Sequence, residues 1–180
     1  MKIIKSYLIF LILFSFVCFG TFYFLKSNAL KNFETLNQDV NQKWNNYISI
    51  LNERNSCLSK QKLQNDSLRY YIEKGNLISL LENSKKFEYN EYKLNKFIAI
   101  DSSLLALNNS LNLKLKAYND AAKSYNFYKI RFPNFWIARK TKFNKTFKYF
   151  EIQYGIDNDQ TMRKKEKREN WVKNGGDYPY

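Results

Sequence analysis

The chain has 180 residues, 44% hydrophobic and 18% aromatic, enough to build a packed core, which excludes disorder of the whole chain. It has no His and only two Cys, Cys18 and Cys57, far apart, so a zinc site and a Cys/His nucleophile are excluded and no cofactor is expected. A net charge of +14 suits phosphate-rich partners, anionic lipid ahead of nucleic acid, although an AT-rich genome would write the same excess of Lys, Asn, Ile, Phe and Tyr.

Only five Gly and two Pro punctuate the sequence, and β-branched residues are too scattered for strands, so the expected class is all-α with long helices. The first element is an uncharged run, "YLIFLILFSFVCFGTFYFL", over residues 7–25. As a helix it rises roughly 28 Å, against a hydrocarbon core of about 30 Å. Lys2 and Lys5 ahead of it resemble a signal peptide, but the run continues through Leu25, past the weak cleavage motif at Cys18-Phe19-Gly20. Val17 is too large for a lipoprotein site at Cys18. Residues 1–27 are therefore expected to be an uncleaved membrane anchor in the lipid bilayer. Lys2 and Lys5 on one flank and Lys26 and Lys31 on the other give the positive-inside rule little to act on. The slight excess before the span places the body on the extracytoplasmic side, whereas the basic body itself would suit a cytoplasmic anionic leaflet.

The body opens with Phe33, Leu36, Val40, Trp44, Tyr47, Leu51, Arg54 and Leu58, spaced by threes and fours along one helical stripe. The stripe continues through Asn65, Leu68 and Ile72 to Gly75, where the helix is expected to stop. A second segment carries Leu77, Ile78, Leu80, Leu81, Phe87, Tyr92, Phe97 and Ile98, with Glu88 and Glu91 on a solvated face. Asp101 or Ser102 caps a third helix through Leu104, Leu111, Leu115, Tyr118, Ala122, Tyr125 and Phe132, closed by Pro133. Residues 134–150, with Phe135, Trp136, Ile137, Phe143, Phe147 and Phe150, supply a fourth. An antiparallel four-helix bundle over residues 28–154 is the natural solution. Beyond it, residues 155–180 read as a basic, solvated tail carrying Arg163, Lys164, Lys165, Lys167 and Arg168, with a helical turn around Trp171 resting on a membrane or partner as the alternative.

Within the third helix a Tyr-Asn pair recurs after seven residues, Tyr118-Asn119 and Tyr125-Asn126, followed by Phe132-Pro133. Positions seven apart share a helix face, so the tyrosines form a row, with Ala121 and Ala122 between them admitting a close neighbour. Without His, paired carboxylates or a Gly-rich loop nearby, the pairs read as a packing motif that fixes helix register, not as a site of chemistry. Arg54, alone on the first apolar stripe, is either a paired or snorkelling core residue or an anion ligand.

"YNDAAKSYNFYKIRFPNFWIARKTKFNKTFKYFE" resembles the carboxy-terminal signature of the LemA family, YN-x5-YN-x5-FP followed by Ile-Ala, Phe and Tyr-Phe-Glu. The matching residues are Tyr118, Asn119, Tyr125, Asn126, Phe132, Pro133, Ile137, Ala138, Phe143, Tyr149, Phe150 and Glu151. Upstream, Val40, Trp44 and Arg54 fit the spacing of that family's first helix. The chain departs from it at Ser56-Cys57-Leu58-Ser59, where the family has Asp-Leu-Ile-Pro, and at Asn108 and Leu115, where it commonly has Glu and Arg. The resemblance implies a divergent member: a membrane-anchored four-helix bundle of the bacterial cytoplasmic membrane, with no enzymatic role. Protein partners or self-association are then expected. The alternative is anionic-lipid or nucleic-acid binding through the basic tail and bundle surface.

Overall fold

The structure, a computed structural model, describes residues 2–61, 66–77, 84–98 and 102–175. The expectations for Asn65, Ile78, Leu80, Leu81 and Asp101 fall outside them. Among the described residues there are helices and no strands: α1 (Lys2–Gln61), α2 (Asp66–Leu77), α3 (Ser84–Asn95), α4 (Ser102–Ile130), α5 (Asn134–Arg139) with a 3-10 turn (Lys142–Asn144), and α6 (Asp159–Asn174).

The apolar run and the amphipathic stripe belong to one uninterrupted helix, α1. Large apolar side chains from Leu8 to Leu25 are exposed, and by length and composition this helix could cross a membrane. From Phe33 onward the expected stripe is largely buried: Phe33, Val40, Tyr47, Leu51, Arg54 and Leu58 are sequestered, while Leu36 and Trp44 are half-buried.

Gly75 does not end a helix; it lies inside α2. A Cβ there would stand 3.0 Å from Asn90 Nδ2, the group that donates to Tyr71 O at 2.9 Å. The glycine admits the α3 side chain against the α2 backbone.

α4 stops at Ile130, earlier than expected, because the residue before a proline is disfavoured in helical conformation. Phe132 therefore lies beyond the end of α4, off the aromatic row and exposed, and its bond to Pro133 is cis. Nor are residues 134–150 one helix. α5 and the 3-10 turn end at Asn144, and the chain to Gln153 is non-helical. Phe150, Ile152 and Tyr154 are buried while Glu151 and Gln153 are exposed, the alternation of an extended segment. The tail is also different from its expectation, since Asp159–Asn174 is helical. Asp159 sits in its first turn, Lys173 in its last, and Gly175 follows with φ +70°.

The chain divides into two compact units, residues 1–40 with 123–147 and residues 41–122 with 148–180. In the first, Phe33 stacks on Phe143 with centroids 5.2 Å apart and meets Tyr125 and Tyr128 edge-on. In the second, Trp44, Tyr118, Phe87 and Phe150 form an aromatic cluster. Leu58, Leu68, Ile72, Leu94 and Leu104 form an aliphatic core beside it.

Candidate functional site

The hydrogen bonds of the Tyr-Asn pairs go to backbone, while the rings of Tyr118 and Tyr125 pack on Trp44 and Phe33 of α1. In the first unit, Asn126 Nδ2 donates to Phe147 O at 2.8 Å and its Oδ1 accepts from Phe147 N at 3.1 Å. In the second, Asn119 does the same to Phe150 at 2.8 and 3.1 Å, and Asn112 to Tyr154 at 3.0 and 2.8 Å. Each carboxamide thus replaces the two bonds a neighbouring strand would supply. The tyrosines add to this: Tyr118 donates to Lys148 O at 3.0 Å and Tyr125 to Phe143 O at 2.8 Å. Burial pushes both hydroxyls up to about 12, with Tyr149 adding to the effect on Tyr118. Leu111-Asn112, seven residues before Tyr118-Asn119, belongs to the same series. The sequence reading missed it because a Leu stands where the other pairs have Tyr.

Arg54 is fully buried and paired. Its Nη2 donates to Glu91 Oε2 at 2.6 Å and to Asn55 Oδ1 at 3.2 Å, while its guanidinium lies 4.7 Å above the Tyr154 ring. Tyr47 and Tyr154 share a 2.6 Å hydroxyl–hydroxyl bond. Burial alone would lower the Arg54 pKa, but the Glu91 charge and the two tyrosines raise it overall, so the guanidinium stays charged. Both phenols are pushed well up and stay protonated, Tyr47 by burial and then the Glu91 charge, Tyr154 by burial and then Tyr47 ahead of Glu91.

Glu88 and Glu91 are therefore not on a solvated face; they are 4% and 2% exposed. Glu88 Oε1 accepts from Glu151 N at 2.6 Å and from the Tyr92 hydroxyl at 3.0 Å, and Lys165 pairs with Glu88 Oε2. Burial, then the Glu88 charge, raises the Tyr92 pKa. A signal for Glu91 was present in the sequence, since it is four residues after Phe87 and three before Leu94, on the buried stripe of α3.

Of the basic cluster, Lys165 and Arg168 are engaged, with Glu88 and Glu151. Lys85 pairs with Glu169 at 2.7 Å, and Lys96 with Asp159. Arg163, Lys164 and Lys167 are exposed. Of the other motif residues, Val40 is buried, Trp44 is half-buried in the aromatic cluster, and Tyr149 is exposed.

Chemically these groups consume one another: each buried carboxylate has a cation and the phenols are held protonated. Among the described residues no three His, Cys, Asp or Glu side chains converge as metal ligands. The chain matches no protein-family model, no curated protein and no solved structure.

Proposed function

We propose that the chain is a non-enzymatic, single-pass membrane protein of the LemA type, anchored in the bacterial cytoplasmic membrane, whose helical body offers a surface to partner proteins or to itself. The observation that carries this is α1: the exposed apolar turns Leu8–Leu25 and the buried stripe from Phe33 lie on one continuous helix, so the body is built directly on its anchor. Val40, Trp44, Arg54 and the two Tyr-Asn pairs support the LemA type. The body is then of the four-helix kind, with α6 in the place expected for residues 134–150, and α1, α3, α4 and α6 the four helices. Structural roles for Arg54, Glu88 and Glu91 support a scaffold over an enzyme, because none of the three is left with a free, solvent-facing group to act on a substrate.

Alkaline carbonate washing of membranes from cells expressing the full chain tests the anchor. The protein should stay in the membrane pellet; release into the supernatant would overturn the proposal. Cross-linking of the same membranes should trap a defined homo-oligomer or partner, and a chain that stays monomeric and uncross-linked would refute the scaffold role.

A further inference from the structure

In the first unit, large apolar side chains are exposed at the end of α4 and around α5: Ile130 by 64%, Phe132 by 72% and Trp136 by 53%. Phe132 and Phe135 both pack on Trp136, at 5.3 and 5.2 Å between ring centroids, so these rings form a contiguous surface. Removing such side chains from water is favourable, so a contiguous exposed surface of this kind points to something that covers it.

The position of this surface says what covers it. A groove of about 530 Å³ is lined by Phe22, Lys26, Trp136, Arg139 and Lys140 among others. Phe22 lies three residues before the end of the apolar run at Leu25, so roughly 4–5 Å inside it. Trp136 shares the groove with Phe22 and with Lys26, the first charge beyond the run. With α1 across a bilayer, this is the depth of the headgroups, where Trp is enriched and where Lys and Arg reach lipid phosphate. The Arg139 guanidinium lies 5.9 Å from the centroid of the Phe135 ring and is exposed, within reach of a phosphate. Among the described residues no carboxylate pairs with Lys26, Arg139 or Lys140, whereas Lys142 is held by Glu34 at 3.1 Å.

We propose that α5 and the turn before it form a second, interfacial membrane contact, and that the groove of Lys26, Arg139 and Lys140 takes the phosphate of an anionic phospholipid. This rests on α1 spanning the bilayer. The occupant is a lipid surface rather than a protein because the groove combines the end of an apolar span, a tryptophan and three cations with no acidic residue among its lining.

The test uses the full chain reconstituted into phosphatidylcholine vesicles with and without phosphatidylglycerol. Flotation with the vesicles reports the anchor; a chain that stays at the bottom of the gradient overturns both the span and the interfacial contact. In floated samples, lipids brominated near the top of the acyl chain should quench tryptophan emission, and Trp136→Phe should abolish most of that quenching while flotation persists. Flotation with quenching unchanged in Trp136→Phe overturns the interfacial contact and leaves the anchor standing. Association of spin-labelled phosphatidylglycerol should fall about fivefold for each of Lys26→Gln, Arg139→Gln and Lys140→Gln. No fall in the triple variant overturns the phosphate site. A photoreactive residue at position 136 should capture lipid in native membranes, and capture of a protein instead would assign this surface to a partner.

Discussion

Replacing Arg54 by Met removes a buried cation and leaves Glu91 beside two protonated phenols with no counter-ion. Breaking a buried pair from one side costs about 3–5 kcal/mol, because the remaining charge is neither solvated nor compensated. That range corresponds to a roughly 150- to 5,000-fold shift in the unfolding constant. The structure argues for the upper part of the range, since both partners are essentially inaccessible and the Tyr154 cation–π contact is lost as well. Glu91→Leu alone should be comparably harmful. The double variant should behave differently. Arg54 Nε and Nη1 have no hydrogen-bond partner among the described residues, so the wild-type pair already carries uncompensated desolvation. Arg54→Met with Glu91→Leu is therefore expected within about 1 kcal/mol of wild type, or above it. Urea unfolding of the full chain in detergent micelles, followed by far-UV circular dichroism at low and high salt, gives the cycle. A single variant losing less than about 1 kcal/mol, or a double variant whose loss equals the sum of the singles, would refute the pairing argument.

Asn119→Leu strands the N–H and the carbonyl of Phe150 and should cost about 2 kcal/mol, with faster hydrogen exchange at that amide. Asn119→Asp keeps the acceptor but not the donor, so part of its loss should be recovered below about pH 4, where a protonated carboxyl donates again; pH-dependent urea midpoints check this. Hydrogen bonds from Lys85 and Lys96 hold Glu169 and Asp159 below their ordinary carboxylate pKa. Their contribution to docking α6 is thus present above the unfolded carboxylate range and lost as pH falls through the folded values, so amide exchange in residues 159–174 should accelerate in acid and in high salt. For Tyr118 and Tyr125 the sign is opposite. With folded values of about 12, their contribution is intact below about pH 10 and lost as pH rises toward 12, which absorbance titration near 295 nm resolves from the exposed tyrosines.

Much of α1 was legible because a stripe needs only periodicity: residues from Phe33 to Leu58 at steps of three and four are buried or, at Leu36 and Trp44, half-buried. Arg54 was legible as an anomaly in that stripe, but its counter-ion was not, since Glu91 was classed by its charge instead of by its register with Phe87 and Leu94. Residues 143–150 went wrong for the converse reason. Phe143, Phe147 and Phe150 are spaced for a helix, while Phe150, Ile152 and Tyr154 are spaced for an extended chain, and local pattern cannot choose between the two. α6 was hidden because five cations read alone repel, whereas Glu88 and Glu151, distant in sequence, take Lys165 and Arg168, and Lys85 and Lys96 take Glu169 and Asp159 of α6.

What settles the conformation of the segment after Asn144 is where its backbone hydrogen bonds go. An extended chain with no sheet beside it leaves its N–H and carbonyl groups unpaired, at a cost of about 1–3 kcal/mol for each buried group. A helix cannot offer backbone partners, because its own are used internally, but it can offer carboxamides. Asn119 and Asn126 are seven residues apart, about 10.5 Å of helix rise, and the residues they bind, Phe150 and Phe147, are three apart, about 10 Å of extended chain. The two repeats match only because seven helical residues and three extended ones are nearly equal lengths. From Phe150 to Tyr154 the step is four residues, longer than the next heptad to Asn112, and just there Asn158 bonds both the N–H and the carbonyl of Gln153 and folds the following turn back. The heptad spacing of the asparagines is therefore accounted for by backbone pairing, beside the packing of Tyr118 and Tyr125 on Trp44 and Phe33. Substitutions in those pairs should lower stability and leave lipid association of the folded fraction unchanged, whereas Lys26, Trp136, Arg139 and Lys140 should show the reverse.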